Sequence, residues 1–121
     1  MFPEVFFKVC YGNSNPSENI RKRHTFKRAV LHGYKRWRVR DADYPGITPT
    51  KNGKVYGIFA TGLTKANIQK LDHFEGNMYY RTPITVDLLK KTEGGRLADD
   101  GKATGETYVF KYPHELEMIP W

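Results

Sequence analysis

Cysteine is nearly absent from this sequence of 121 residues, in which Cys10 is the single example. One thiol cannot close a disulfide within the chain, and it cannot supply the paired cysteines of a structural zinc site. The four histidines show no i, i+4 pairing, and no phosphate-binding glycine loop is present, so neither a metal nor a cofactor is predicted. Because disulfides belong to oxidising compartments, this composition favours a cytoplasmic protein.

Long hydrophobic runs are also missing. No stretch reaches the roughly 18 uninterrupted apolar residues of a transmembrane helix, so no membrane association is expected. The first residues lack a basic region followed by an apolar run, so no signal peptide is predicted. Hydrophobic residues still make up 39% of the chain and aromatic residues 14%, which excludes a disordered protein. The length fits a single domain over residues 1–121.

Acidic residues are outnumbered, and one segment has none. The 20 Lys and Arg exceed the 13 Asp and Glu, giving a net charge of +7. Between Arg21 and Arg40 the sequence holds nine basic residues and no acid. Basic residues interleaved with Tyr34 and Trp37 could hold the phosphates and stack on the bases of a nucleic acid. The alternative is a solvated basic face without a partner.

Helical spacing of apolar residues occurs near the start of the chain and again in the middle. The first pattern predicts a short amphipathic helix in which Phe7 lies off the apolar stripe. Its predicted buried stripe consists of Phe2, Val5, Phe6, Val9 and Cys10. The second pattern predicts a helix over 64–74, which Thr64 can cap and Gly76 can end.

Alternating residues predict strands over 26–39, with a break at Gly33, and over 54–60, 81–89 and 106–112. Turn residues predict a turn over 43–46 and a tight hairpin at Asn52-Gly53. The polar, glycine-rich segment over 91–105 predicts a long, mobile connection. Several strands with one or two helices indicate the α+β class with a mostly antiparallel sheet.

Glu75 is the candidate with the clearest local chemistry. It lies near the end of the second predicted helix, where the helix dipole disfavours a carboxylate. Tyr79 and Tyr80 follow closely and would add apolar surface, and both effects raise the pKa of a carboxyl group. A carboxyl tuned in this way suits a general acid or base near neutral pH. The alternative is that Glu75 forms an ion pair with Arg81 or Lys70 and closes the helix.

The segment from Leu71 to Gly76, L-D-H-F-E-G, is followed by Tyr80 and Arg81. This arrangement resembles the L-D-x-x-E-G…Y-x-R signature of the gamma-glutamylcyclotransferase-like superfamily. The branch it resembles most holds the avirulence-induced-gene-like proteins and the gamma-glutamylamine cyclotransferases. Three further pieces agree with that branch in order and spacing, and the resemblance extends over most of residues 26–110. They are A-D-Y-P-G-I at 42–47, V-Y-G at 55–57 and the strand at 80–86.

The resemblance implies a small, barrel-like α+β fold and a reaction without metal or cofactor. The substrate would be a small gamma-glutamyl amine or peptide, whose own α-amine attacks the γ-carbonyl to release 5-oxoproline. Glu75 matches the family's catalytic acid/base, which moves the proton from the α-ammonium to the leaving amine. Tyr44, Tyr80 and Arg81 are expected to bind the substrate.

Two departures from the family pattern affect this interpretation. The family begins with a strand and a Y-G-T/S-L turn, whereas here the first pattern is a helix, and Tyr11-Gly12-Asn13-Ser14 resembles that turn only superficially. The last residues, 118–121, stop where relatives continue into a helix. A chain without that first strand is expected to have an open sheet edge, which favours a homodimer. The second hypothesis is therefore a catalytically inactive or repurposed binding module on the same scaffold.

Overall fold

The structure, a computed structural model, describes residues 2–40, 42, 44–112 and 116–120. The first half contains helices α1 (Pro3–Tyr11) and α2 (Glu18–Arg21) and strands β1 (Thr25–Val39) and β2 (Pro45–Thr61). The second half contains helix α3 (Lys65–Glu75), a 3-10 turn (Gly76–Met78) and strands β3 (Tyr79–Lys91), β4 (Leu97–Phe110) and β5 (Leu116–Pro120). The predicted α+β class is confirmed, whereas α2 and β5 were not predicted.

The strands form one antiparallel sheet that curls on itself. Its order is β2-β1-β3-β4, and β5 pairs with β1. The outer strands β2 and β4 approach each other so closely that a Cβ on Gly105 would lie 2.8 Å from the Phe59 ring. Apolar side chains from all four long strands, among them Leu31, Phe59 and Val86, fill the space inside. The result is the barrel-like sheet that the sequence resemblance implies.

Two long hairpins make up this sheet. The first hairpin pairs β1 with β2 over nearly their whole length, and the second pairs β3 with β4 in the same way. Within the described residues, β1 and β3 pair through Arg28–Val30 and Asp87–Leu89 alone. The join between the hairpins is therefore much shorter than the hairpins themselves.

A bulge interrupts the first hairpin. The register shifts between His32 and Tyr34, so that residues 50–53 bulge from β2 opposite Gly33. Gly33 and Asn52 have positive φ values of 86° and 61°, which glycine and asparagine tolerate best. The predicted break at Gly33 is this bulge within a continuous strand. The predicted hairpin at Asn52-Gly53 is wrong, because the positive φ serves a bulge there and not a chain reversal.

The chain reverses earlier than the turn residues predict. Pro45, placed in the predicted turn over 43–46, already begins β2 and pairs with Arg38. Asp43, which belongs to the same prediction, lies outside the described residues. Proline is tolerated at the first residue of a strand, which explains its position here.

The long connection predicted over 91–105 is also wrong. β3 and β4 are joined by a short turn in which the Thr92 N–H donates to the carbonyl of Arg96 (2.8 Å), and β4 begins at Leu97. Gly94 and Gly95 do lie in this turn, whereas Gly101 and Gly105 lie within β4. Gly105 lies where Phe59 approaches the sheet, and a side chain there would meet the ring.

Helices α1 and α3 pack together outside the barrel, against Phe26 of β1 and Tyr108 of β4. Phe6, Phe7 and Cys10 are buried with Leu71 of α3, whereas Phe2 is 72% exposed. The predicted helix and the burial of Cys10 are confirmed. The predicted stripe is wrong for Phe2, Val5 and Phe7, because α1 meets the core through a different set of residues (i, i+1, i+4) near its middle. None of the described helices is long and apolar enough to cross a membrane.

Candidate functional site

Helix α3 fixes the position of Glu75. A capping box begins the helix: the Asn67 N–H donates to Thr64 Oγ1 (3.1 Å), and the Thr64 N–H donates to Asn67 Oδ1 (3.0 Å). Leu71 anchors the middle of the helix in the core. Gly76 ends it with a φ of 78°, which a residue with a Cβ would rarely adopt. Glu75 is therefore held in the last helical position, as the sequence predicted.

The Glu75 carboxyl group is half-buried and has no partner within the described part of the chain. Burial raises its pKa above the ordinary value for glutamate, while the positive charge of the N-terminal amino group acts in the opposite direction to a smaller extent. Its proposed ion-pair partners are engaged elsewhere: Lys70 Nζ donates to the carbonyl of Cys10 (2.8 Å), and Arg81 binds two other carboxylates. Glu75 is thus not paired with Lys70 or Arg81, the two partners considered from the sequence.

Two tyrosines lie close enough to Glu75 to feel its charge. Tyr79 has a pKa raised to about 12, chiefly by burial and then by Glu75 and Tyr44. The pKa of Tyr108 is also raised, by burial, by its hydrogen bond to Asp72 and to a smaller extent by Glu75. Both tyrosines therefore remain protonated donors near this carboxyl group at neutral pH.

Arg81 ties α3 to the second hairpin. Its Nε lies 2.8 Å from Asp72 Oδ1, and its Nη1 donates to both carboxylate oxygens of Glu106 at 3.1 and 3.0 Å. The Tyr108 hydroxyl donates to the same Asp72 oxygen at 2.6 Å. These are charge-assisted bonds with fixed directions, so they set the orientation of the helix end above the strands.

A pocket of about 320 Å³ lies over this network. Its lining consists of Asp72, Gly76, Tyr79, Arg81, Glu106 and Tyr108. Glu75 immediately precedes the lining residue Gly76. Two carboxylates and one guanidinium leave the lining with a surplus of negative charge, which favours a ligand that carries an ammonium group.

The sequence-predicted residues take different places around this pocket. Arg81 lines it. Tyr44 is 42% exposed, and its hydroxyl donates to the Met78 sulfur at 3.6 Å on the Glu75 side. Tyr80 is 44% exposed and, by strand alternation, lies on the opposite face of β3 from Tyr79 and Arg81. Glu75, Tyr44 and Arg81 are therefore brought to one side of the sheet, and Tyr80 is not.

Sequence reasoning missed Asp72, Glu106 and Tyr108. Asp72 had a usable signal, because residues three apart lie on one face of a helix and Asp72 precedes Glu75 by three. Glu106 and Tyr108 alternate along one strand and so share a face. Their relation to Arg81 depends on the β3–β4 register, in which Tyr108 lies opposite Arg81, and the sequence did not provide that register.

No group of His, Cys, Asp and Glu within residues 2–40, 42, 44–112 and 116–120 has a geometry that could hold a metal ion. The Tyr11–Ser14 segment does not contribute to the Glu75 pocket. Tyr11 ends α1, and Ser14 lines a separate depression of about 330 Å³ beside Pro3 and Phe7.

Comparison with known proteins agrees with this fold. The family described as "Gamma-glutamyl cyclotransferase, AIG2-like" matches residues 9–120. Protein AIG2 C of Arabidopsis thaliana is 38% identical over 82 residues, which cover 68% of this chain and 45% of that protein. AIG2-like protein C of the same plant is 37% identical over 90 residues, which cover 74% of this chain and 48% of that protein.

Solved structures from the same plant share the architecture. The solution structure of At3g28950.1 superposes with a TM-score of 0.63 at 29% identity, covering 91% of this chain and 56% of that one. That of At5g39720.1 gives a TM-score of 0.61 at 26% identity, covering 91% of this chain and 62% of that one. The chain spans about half the length of the curated relatives it matches. It belongs to the gamma-glutamyl cyclotransferase, AIG2-like family.

Proposed function

We propose that this chain carries a gamma-glutamyl cyclotransferase site in which Glu75 is the general acid/base. The observation that carries the proposal is the state of the Glu75 carboxyl group. It is half-buried, its pKa is raised by that burial, and none of the described residues occupies it in an ion pair or hydrogen bond. A carboxyl with a raised pKa can both accept and return a proton near neutral pH.

The reaction needs few catalytic groups, because both reacting atoms belong to one substrate. The α-amine attacks the γ-carbonyl carbon, forming the C–N bond of a five-membered lactam while the C–N bond to the leaving amine breaks. The α-nitrogen loses two protons on the way from ammonium to lactam N–H. Glu75 takes each in turn and delivers both to the departing nitrogen, which leaves as an ammonium ion. The closeness of amine and carbonyl within one molecule supplies much of the acceleration.

The charges of the pocket suit the two ends of a γ-glutamyl group. Asp72 and Glu106 attract the α-ammonium, although both also bind Arg81. Two nitrogens of Arg81, Nε and Nη1, already face these carboxylates, so Nη2 is the donor left for the substrate's α-carboxylate. Tyr44 stands on the Glu75 side of the site as a further donor. Tyr80 faces the other side of β3, so its role would be to support the strand from behind.

The test is release of 5-oxoproline from a panel of γ-glutamyl amines by the wild type and by Glu75→Gln. Glutamine keeps the shape but cannot accept the proton, so turnover should fall at least about 10²-fold. Glu93→Gln is the matched control, because Glu93 lies exposed in the β3–β4 turn. Equal turnover in the wild type and Glu75→Gln would remove Glu75 from the mechanism. No release by the wild type would favour the binding-module hypothesis.

A further inference from the structure

The two strands of the first hairpin are basic, and Asp41 and Asp43 stand between them in the sequence. β1 and β2 together span Thr25–Val39 and Pro45–Thr61, and neither contains an Asp or a Glu. Seven Lys and Arg residues lie on these two strands. They are Lys27, Arg28, Lys35, Arg36, Arg38, Lys51 and Lys54. Strands with an excess of positive charge attract ligands of the opposite charge.

The basic residues that share a surface differ from the basic segment identified in the sequence, Arg21–Arg40. Arg21 ends α2, so the cations before Thr25 are not part of the strands, whereas Lys54 joins the group from β2. The pairing places Arg28, Val30 and His32 of β1 beside Ile58, Tyr56 and Lys54 of β2, respectively. Because alternate residues share a face, these six side chains lie on one side of the hairpin, the side opposite the barrel interior.

Tyr56 lies at the centre of this face. Its side chain is 54% exposed, a high value for an aromatic residue in a strand. Lys54 Nζ lies 5.5 Å from the ring centroid, and Arg36 Nη2 donates to the Tyr56 carbonyl at 3.5 Å. Arg28 is exposed two positions further along the same face. One cation thus lies against the exposed ring, a second binds the carbonyl of the same residue, and a third is exposed on the same face.

The second hairpin brings a carboxylate close to the face around Tyr56, but this carboxylate already has basic partners. Asp87 of β3 lies opposite Val30, and its oxygens contact Lys102 at 2.5 Å and His32 at 3.2 Å. Lys102 also feels the charge of Asp99. Asp87 is therefore neutralised within the second hairpin, whereas no carboxylate among the described residues forms an ion pair with Arg28 or Lys54.

We propose that the face formed by Arg28, Lys54 and Tyr56 binds single-stranded nucleic acid. The two cations would contact successive phosphates, and the open side of the Tyr56 ring would stack on a base. The exposed ring is what favours this partner over a polyanion without bases, because stacking requires an unpaired base. The face is separate from the Glu75 pocket and does not depend on the proposed reaction.

The test is fluorescence anisotropy with a labelled oligo(dT) over a series of NaCl concentrations. Each phosphate contact in a single strand contributes about 0.7 to the slope of log K against log salt. The double variant Arg28→Gln/Lys54→Gln should therefore reduce the slope by about 1.4. The control is Lys8→Gln/Lys65→Gln, which removes the same charge from exposed positions on α1 and α3 and should leave the slope close to that of the wild type.

Tyr56→Leu separates stacking from charge. It keeps apolar bulk at the position, so it should weaken binding about five-fold or more at every salt concentration while the slope stays unchanged. Equal slopes in the two double variants would overturn the proposal, since the attraction would then come from net charge alone. Full affinity in Tyr56→Leu, or binding of heparin without binding of oligo(dT), would also overturn it.

Discussion

Glu75 should lower the stability of the folded chain at neutral pH, so Glu75→Gln should be more stable than the wild type. Two costs of the carboxylate have the same sign. Burial disfavours its charged form, as the raised pKa records. Its place in the last turn of α3 brings it to the negative end of the helix dipole. Glutamine removes the charge and keeps nearly the same volume.

The gain in stability of Glu75→Gln can be estimated from the interaction of the carboxylate with the helix dipole. A carboxylate at a helix C-terminus costs about 0.3–1 kcal/mol. In a domain of this length, 1 kcal/mol corresponds to a Tm change of roughly 4 °C. The Tm of Glu75→Gln should therefore rise by about 1–4 °C at pH 7, and desolvation of the carboxylate acts in the same direction.

The gain should depend on pH with a definite sign. The pKa of Glu75 is higher in the folded chain than its ordinary value of 4.5, so between the two values the folded state binds more protons. Stability is then lost as pH rises through the folded pKa. Below the ordinary value the carboxyl is neutral in both states, so the advantage of Glu75→Gln should disappear near pH 4.

Thermal unfolding followed by circular dichroism at pH 4 and pH 7 measures this difference, with Glu93→Gln as the control for loss of an exposed charge. A second readout is the pKa of Tyr79. It is about 12 partly because of the Glu75 charge, so it should fall in Glu75→Gln and can be followed by NMR of labelled tyrosine. The reasoning is refuted if Glu75→Gln is less stable at pH 7, or if its advantage is as large at pH 4.

Two further predictions concern the scaffold. Gly62 has a φ of 76°, and a Cβ there would collide with the Arg23 carbonyl, so Gly62→Ala should lose more than about 2 kcal/mol in urea unfolding. Gly57→Ala meets open space and should lose less than half as much. Phe7→Ala should cost about 3–5 kcal/mol because the ring is 5% exposed, whereas Phe2→Ala should stay within about 0.5 kcal/mol. If Phe2→Ala lost as much unfolding free energy as Phe7→Ala, Phe2 would be buried, as the sequence pattern predicted.

The sequence predicted helix α3 and its end at Gly76 because the signals there are local. Thr64, Asn67 and Gly76 act on their own backbone neighbours, and those rules hold without tertiary information. The placement of Glu75 at the helix end could therefore be predicted. The partners of Arg81 could not, since its ion pairs with Asp72 and Glu106 depend on which strands pair and in what register.

Glycine caused the largest errors. Asn52-Gly53 and the glycines over 94–105 carry the same local signal as hairpin turns and mobile loops. In the fold, Asn52 supports a bulge and Gly105 makes room for Phe59. In a single sequence, a glycine that makes room for a side chain from another strand looks the same as a glycine that a turn requires for its backbone conformation. The homodimer through an open sheet edge stays a prediction.

The short join between the two hairpins divides the barrel into two leaves. Pairing within each hairpin is local in sequence, so each leaf can form early and keep its hydrogen bonds when the join opens. Arg81, Glu106 and Tyr108 belong to the second leaf, and Arg81 binds Asp72 of α3 to it. Tyr44 directly precedes β2 of the first leaf, and the bond from the Tyr79 hydroxyl to the Pro45 carbonyl (3.1 Å) crosses between the two leaves. A ligand that contacts both Tyr44 and Arg81 would therefore bridge the two leaves and slow their separation.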